Sequence, residues 1–171
     1  DRFEKAYLTQ KYKSKKPTVP EITEVALWLM RSLLGETGER HVAEHPWLRS
    51  HIVTARGKGL NGRQPGKRLI AGMGAAALGN AFSRSTLSAS FQRVVFASQQ
   101  ATPLSPLLDG FATQYVDLSE ANVFSALMAS GAIPYVFEGV YEIDGAGEGA
   151  FWDGGIIDYH FDLQLLPKDE V

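Results

Sequence analysis

The stretch Ala-Ser-Gly-Ala-Ile-Pro (129–134), followed by Phe-Trp-Asp-Gly-Gly (151–155), decides how this chain is read. An acidic residue set between an aromatic pair and two glycines is an unusual loop. Asp153 sits where the chain turns sharply, so its carboxylate is held by local structure. Gly154 and Gly155 permit positive φ and allow another backbone or a substrate to come close. Two readings follow from these residues. One is a tight turn, since Asp and Gly are the residues turns use. The other is a carboxylate positioned for chemistry.

Outward from that stretch, helical and extended patterns alternate. Residues 1–13 have a helical pattern with Phe3, Tyr7 and Leu8 on one side, closed by Pro17. Thr18 caps a second helix that ends near Gly35, and a third, shorter one covers 38–45 until Pro46 stops it. Leu48 to Ala55 alternates as a strand. Residues 57–67 form a glycine-rich basic loop, and Leu69 to Phe82 is a helix of small residues. Arg93 to Ser98 and Phe111 to Leu118 are strands. Ser119 opens a helix to Ser130, with Asn122 in place of the acid of a capping box. Val140 to Ile143 and Gly149 to Trp152 bracket an acidic glycine turn as a hairpin. The order predicts an α/β layered fold in a single domain over 1–171.

This order of a helix ending in Ala-Leu-Met-Ala-Ser-Gly-Ala-Ile-Pro, then Val-Phe-Glu-Gly-Val, a polar hairpin and Phe-Trp-Asp-Gly-Gly-Ile-Ile-Asp resembles the C-terminal half of the patatin-like phospholipase family. The resemblance is specific over about 110–165; upstream it rests on element order and on Arg-Val-Val-Phe (93–96). It implies a three-layer α/β/α domain with a mostly parallel central sheet. It also implies a lipid acyl hydrolase working through a Ser–Asp dyad. Asp153 matches the family's catalytic aspartate, with Gly154 and Gly155 as its supporting turn. Neither metal nor organic cofactor is implied. The partner expected is a lipid or ester substrate, met at a membrane surface, with no nucleic acid; exposed sheet edges would favour a homo-oligomer.

The family's Gly-x-Ser-x-Gly nucleophile elbow occurs nowhere in the 171 residues. Ser119, Ser125 and Ser130 have the wrong neighbours for a strand-to-helix elbow. The expectation is therefore a segment that supplies the aspartate, with the serine and the oxyanion loop provided by sequence outside it. A non-catalytic relative that binds lipid or protein is the alternative. A third reading builds a nucleotide site on Gly57-Lys-Gly-Leu-Asn-Gly62, but Arg63-Gln-Pro-Gly follows where a helix must begin at once to meet a pyrophosphate.

Composition narrows the classes further. The apolar fraction of 44% and charged fraction of 21% are ordinary for a globular chain. A net charge of −2 gives no argument for nucleic acid, and the absence of cysteine rules out disulfides and thiolate zinc sites. The apolar run 25–30 is too short to span a bilayer, and its Trp28 is read as core. His41 and His45 stand at i, i+4, but the zinc-protease pattern needs Glu where Val42 stands, so a solvated helix face is expected. His51 belongs to a strand, and His160 lies close to Asp153 without a nucleophile to serve. Asp144-Gly-Ala-Gly-Glu148 lacks the alternating oxygens of a calcium loop and is read as a hairpin tip. The lysines at 11, 13, 15 and 16, near Tyr7 and Tyr12, form a solvated helix end or touch an anionic lipid surface.

Overall fold

A computed structural model describes residues 2–59, 84–99 and 111–157. In chain order the elements are α1 (Arg2–Thr9), α2 (Val19–Leu34), α3 (Gly38–Ala43), β1 (His51–Gly57), α4 (Arg84–Ser90), β2 (Phe91–Ala97), β3 (Thr113–Asp117), α5 (Glu120–Ser130), β4 (Val140–Ile143) and β5 (Gly147–Asp153), then a 3₁₀ turn at Gly154–Ile156. The expected helix at 69–82, most of the loop at 57–67 and His160 lie outside the described residues.

The strands form one sheet in the order β3-β2-β1-β5-β4. β1 runs antiparallel to both β2 and β5, β4 is antiparallel to β5, and only β2 and β3 run parallel. The α/β character is as expected; the mostly parallel sheet is not what these residues form. The hairpin imposes part of the difference. β4 and β5 are joined by a four-residue turn closed by the Ala146 N–H on the Ile143 carbonyl at 2.9 Å, and strands joined so tightly must be antiparallel. Gly145 occupies that turn with a φ of 76°, which glycine adopts without strain.

β1 and β2 are buried along nearly their whole length because both faces of the sheet are covered. On one face Ile52, Val94, Phe96 and Phe151 pack with Val123, Ala126 and Ala129 of α5. On the other, Ala55, Phe91, Ala150 and Trp152 pack with Leu87 of α4. The aromatic pair before Asp153 is explained by the pleat: Phe151 and Trp152 enter opposite faces. The Trp152 ring lies so close to Gly139 that a Cβ there would stand 2.8 Å from it.

α5 begins as its sequence predicts, after Ser119, but Asn122 does more than cap. Its Oδ1 accepts the Ser119 N–H at 2.9 Å, and its Nδ2 donates to the Asp117 carbonyl at 2.9 Å and the Asp144 carbonyl at 3.2 Å. One side chain, 1% exposed, thereby ties the end of β3, the start of α5 and the hairpin tip together. Arg56 braces the same hairpin from β1, donating to the Ala146 carbonyl at 2.6 Å and to Gln92 Oε1.

α2 ends at Gly35, as expected, where φ is 64°. Trp28 differs from its expected place in the core. It is 46% exposed, and no residue of α2 is fully buried. The helix lies at the margin, touching α1, α3 and α5, and Trp28 faces a shallow groove shared with Lys11 and Lys13. Among the described residues no helix is long and apolar enough to cross a membrane.

Candidate active site around Asp153

Asp153 is the last residue of β5. It is paired with Thr54 of β1, the strand at the centre of the sheet. Its backbone N–H donates to the Ala132 carbonyl at 3.1 Å. The two stretches that carry the sequence reading, 129–134 and 151–155, therefore meet directly. The chain then folds into the 3₁₀ turn, and Asp153 caps it: Oδ1 accepts the Gly155 N–H at 2.8 Å. This is what an aspartate at a helix N-cap does. Both sequence readings of Asp-Gly-Gly are thus compatible with one geometry, a tight turn that also immobilises a half-buried carboxylate.

Of the two uses expected of the glycines, positive φ and close approach, the structure shows the second. Neither has a positive φ. Gly154 is needed for space, because a Cβ there would lie 2.5 Å from the Val53 carbonyl oxygen of β1. At Gly155 a Cβ would come within 3.1 Å of Asp153 Oδ1. Close backbone approach, rather than left-handed backbone, selects glycine at 154; at 155 the near neighbour is the Asp153 side chain.

Among the described residues the Gly155 N–H is the one hydrogen-bond donor to the Asp153 carboxylate, and no serine touches it. Oδ1 is committed to the turn and Oδ2 is left to act on something else. Thr54 does not compete for it, since its hydroxyl donates to the Val94 carbonyl at 3.2 Å. The arrangement can accept a proton from a group brought to Oδ2, on a backbone held by the Ala132 carbonyl and the Gly155 N–H.

The remaining candidates are dispersed. α3 ends at Ala43, so His41 and His45 do not share a helix face as their spacing suggested. His41 Nδ1 lies 3.3 Å from Thr37 Oγ1, and His45 Nδ1 accepts the N–H groups of Trp47 and Leu48 at 3.2 and 2.9 Å. His51 is half-buried in β1. Gly57 closes β1, and Lys58 turns back onto α4, its N–H donating to the Ser90 carbonyl at 2.8 Å; the rest of the Gly57–Gly62 motif lies outside the described residues. At the end of the sheet where β1 begins, a cleft of about 310 Å³ opens between α3, β2 and α5. Glu44, Glu120 and Arg49 line it with mixed charge, so it favours no single ion.

Sequence reasoning missed the Ala132 carbonyl as a site element, although the Ala-Ser-Gly-Ala-Ile-Pro segment was its signal. It also missed Val53, whose role is a backbone contact that no side-chain pattern announces. No family model, curated protein or solved structure matches the chain.

Proposed function

We propose that this chain supplies the general base of a serine acyl hydrolase acting on a lipid or other carboxylic ester. Asp153 is the base, and Gly154 and Gly155 are its supporting turn. The observation that carries the reading is the state of the Asp153 carboxylate. One oxygen is fixed by the Gly155 N–H and the other is uncommitted, at the end of a strand paired to the sheet centre.

The chemistry is ordinary acyl transfer. A serine outside these 171 residues attacks the ester carbonyl carbon while its proton passes to Asp153 Oδ2 without an intervening histidine. The tetrahedral intermediate collapses, the alcohol leaves with that proton, and an acyl-serine remains. Water, deprotonated by the same carboxylate, releases the fatty acid and restores the serine. Positioned proton transfer of this kind contributes about 10²–10⁴-fold in rate. The fold reading that accompanies it is the C-terminal part of a patatin-like layered α/β domain. Apolar clusters on both sheet faces and the parallel β2–β3 pair support it.

The test is turnover of a fatty acyl ester, with fluorophosphonate labelling, by the intact protein in which the serine-bearing sequence accompanies these 171 residues, and by its Asp153→Asn variant. Asparagine can keep the cap on Gly155 but cannot take a proton at neutral pH, so the fold should persist while turnover falls at least about 100-fold. Near-normal hydrolysis by the variant refutes the reading. A second reading, a non-catalytic lipid- or protein-binding relative, is favoured by the absence of any serine on Asp153 among the described residues. Intact protein, with the serine-bearing sequence present, that is neither labelled by the probe nor active on the ester would select it.

A further inference from the structure

The turn between α3 and β1 presents Trp47 and Leu48 to solvent at 85% and 64% exposure, although both are large apolar side chains. Beneath them much of the backbone is closed on itself, the Trp47 carbonyl and the Arg49 N–H being left open, among the described residues, to headgroups and water. His45 Nδ1 accepts the N–H groups of both Trp47 and Leu48. The Arg49 guanidinium reaches back over the carbonyls of His45 at 3.4 Å, Pro46 at 3.2 Å and Leu48 at 3.4 Å. Pro46 has no N–H to satisfy. A surface turn in water has no need of this, because water would serve every one of these groups. An apolar medium serves none, and there each unpaired backbone group is costly.

We propose that Trp47 and Leu48 form a bilayer anchor that enters the interfacial region of a phospholipid membrane. Tryptophan suits that depth, since its ring is apolar while its N–H can meet the headgroups. A protein partner is disfavoured by size: two side chains on a turn fall far short of the roughly 800 Å² per partner that a stable interface buries. The surroundings also argue against electrostatic docking. Arg40 is taken up by Glu120 at 3.0 Å, and the exposed Glu44 offsets Arg49. Attraction at this turn is apolar, so it should resist salt.

The anchor stands at a meaningful place in the fold. β5 runs against β1, and its last residue, Asp153, pairs with Thr54, so the chain leaves Asp153 toward the end of β1 where the anchor begins. A membrane held by Trp47 would lie beyond the same end of the sheet. The inference goes beyond the proposed hydrolysis and does not depend on it.

The test is co-sedimentation of the full chain with phosphatidylcholine vesicles, combined with quenching of tryptophan emission by brominated acyl chains. The wild type should bind equally at low and high salt. A Trp47→Ala/Leu48→Ala double variant, which removes two exposed side chains and the edge-on contact of the Trp47 ring with His45, should bind at least about tenfold more weakly with unchanged circular dichroism. In Trp47→Phe the bromine quenching should disappear, although Trp28 and Trp152 remain. Equal binding by the double variant, quenching retained in Trp47→Phe, or no vesicle binding by the wild type would each overturn the proposal. So would binding abolished by Lys→Gln changes at 11, 13, 15 and 16, which would move the contact to the lysine-rich segment. Vesicle binding by an intact protein that carries the serine-bearing sequence yet turns over no ester leaves the anchor standing and removes the hydrolase. Turnover of a soluble ester without vesicle binding does the reverse.

Discussion

The α-carbon of Gly154 rests against the Val53 carbonyl, so closely that a single added methyl would have to share space with the oxygen, 2.5 Å away. Both partners are backbone, one in the central strand and one in the turn behind Asp153, so neither can yield by rotating a side chain. Gly154→Ala should therefore cost about 1–3 kcal/mol, the usual penalty for forcing atoms into a packed site. Urea unfolding measures it, and an unchanged midpoint would show that the contact is looser than it stands here. Gly155→Ala makes the contrast. Its methyl would meet only the Asp153 carboxylate, at 3.1 Å, and a shift of a few tenths of an ångström would relieve the contact. Stability should change by less than about 0.5 kcal/mol, while ester turnover falls because the carboxylate is displaced.

Asn122 sets a second expectation. Its amide donates to two carbonyl oxygens, those of Asp117 and Asp144. Asn122→Asp replaces a donor with an anion facing both, at a buried position. The loss should be about 3 kcal/mol or more at neutral pH. The buried carboxyl would have its pKa raised in the folded state, so the deficit should shrink as pH falls and the proton returns. A thermal melt series from pH 7 downward tests this. A variant as stable as the wild type at pH 7 would contradict the donor role.

Tyr135, at φ 69°, is a bulky residue in left-handed backbone, and its side chain is 56% exposed. Strain of this kind costs on the order of 1–3 kcal/mol, while glycine loses part of the gain to the entropy of the unfolded chain. Tyr135→Gly should thus stabilise by about 1 kcal/mol. A lower melting temperature for the variant would mean that the ring's contacts outweigh the strain.

Alkaline pH should expose Tyr141. Burial raises its phenol above the ordinary value of 10.0, and the Glu138 carboxylate pushes the same way. The folded state then holds its proton longer than the unfolded one. The associated stability is intact below pH 10.0 and is lost as pH rises through the raised value. Tyr141→Phe should flatten the alkaline limb of the stability curve. It should cost little near neutrality, since the hydroxyl has no hydrogen-bond partner among the described residues. Parallel alkaline limbs for the two proteins would rule this out.

The elements defined by local chemistry were legible in the sequence. Thr18 and Gly35 bracket α2, although the Thr18 hydroxyl makes no capping bond, Ser119 opens α5, and the Asp144–Gly145 tip marks the hairpin. Strand directions were not, because pairing is a long-range choice: nothing within His51–Gly57 states that β2 and β5 will both oppose it. The helix expected over 38–45 ends two residues sooner, at Ala43, since His45 leaves it to bind the backbone of the next turn. At the candidate site Asp153 was legible from its neighbours. That a backbone would come close to its glycines was legible too; which one was not, because Val53 belongs to the opposing strand.

The hydrogen bond from the Asp153 N–H to the Ala132 carbonyl makes two remote pieces of sequence one mechanical part. Its consequence is practical. Anyone transplanting the Asp-Gly-Gly loop into another scaffold would have to carry 129–134 along with it, together with a strand able to receive Gly154. A library that varies either piece alone will be searching with half of the joint fixed in the wrong shape.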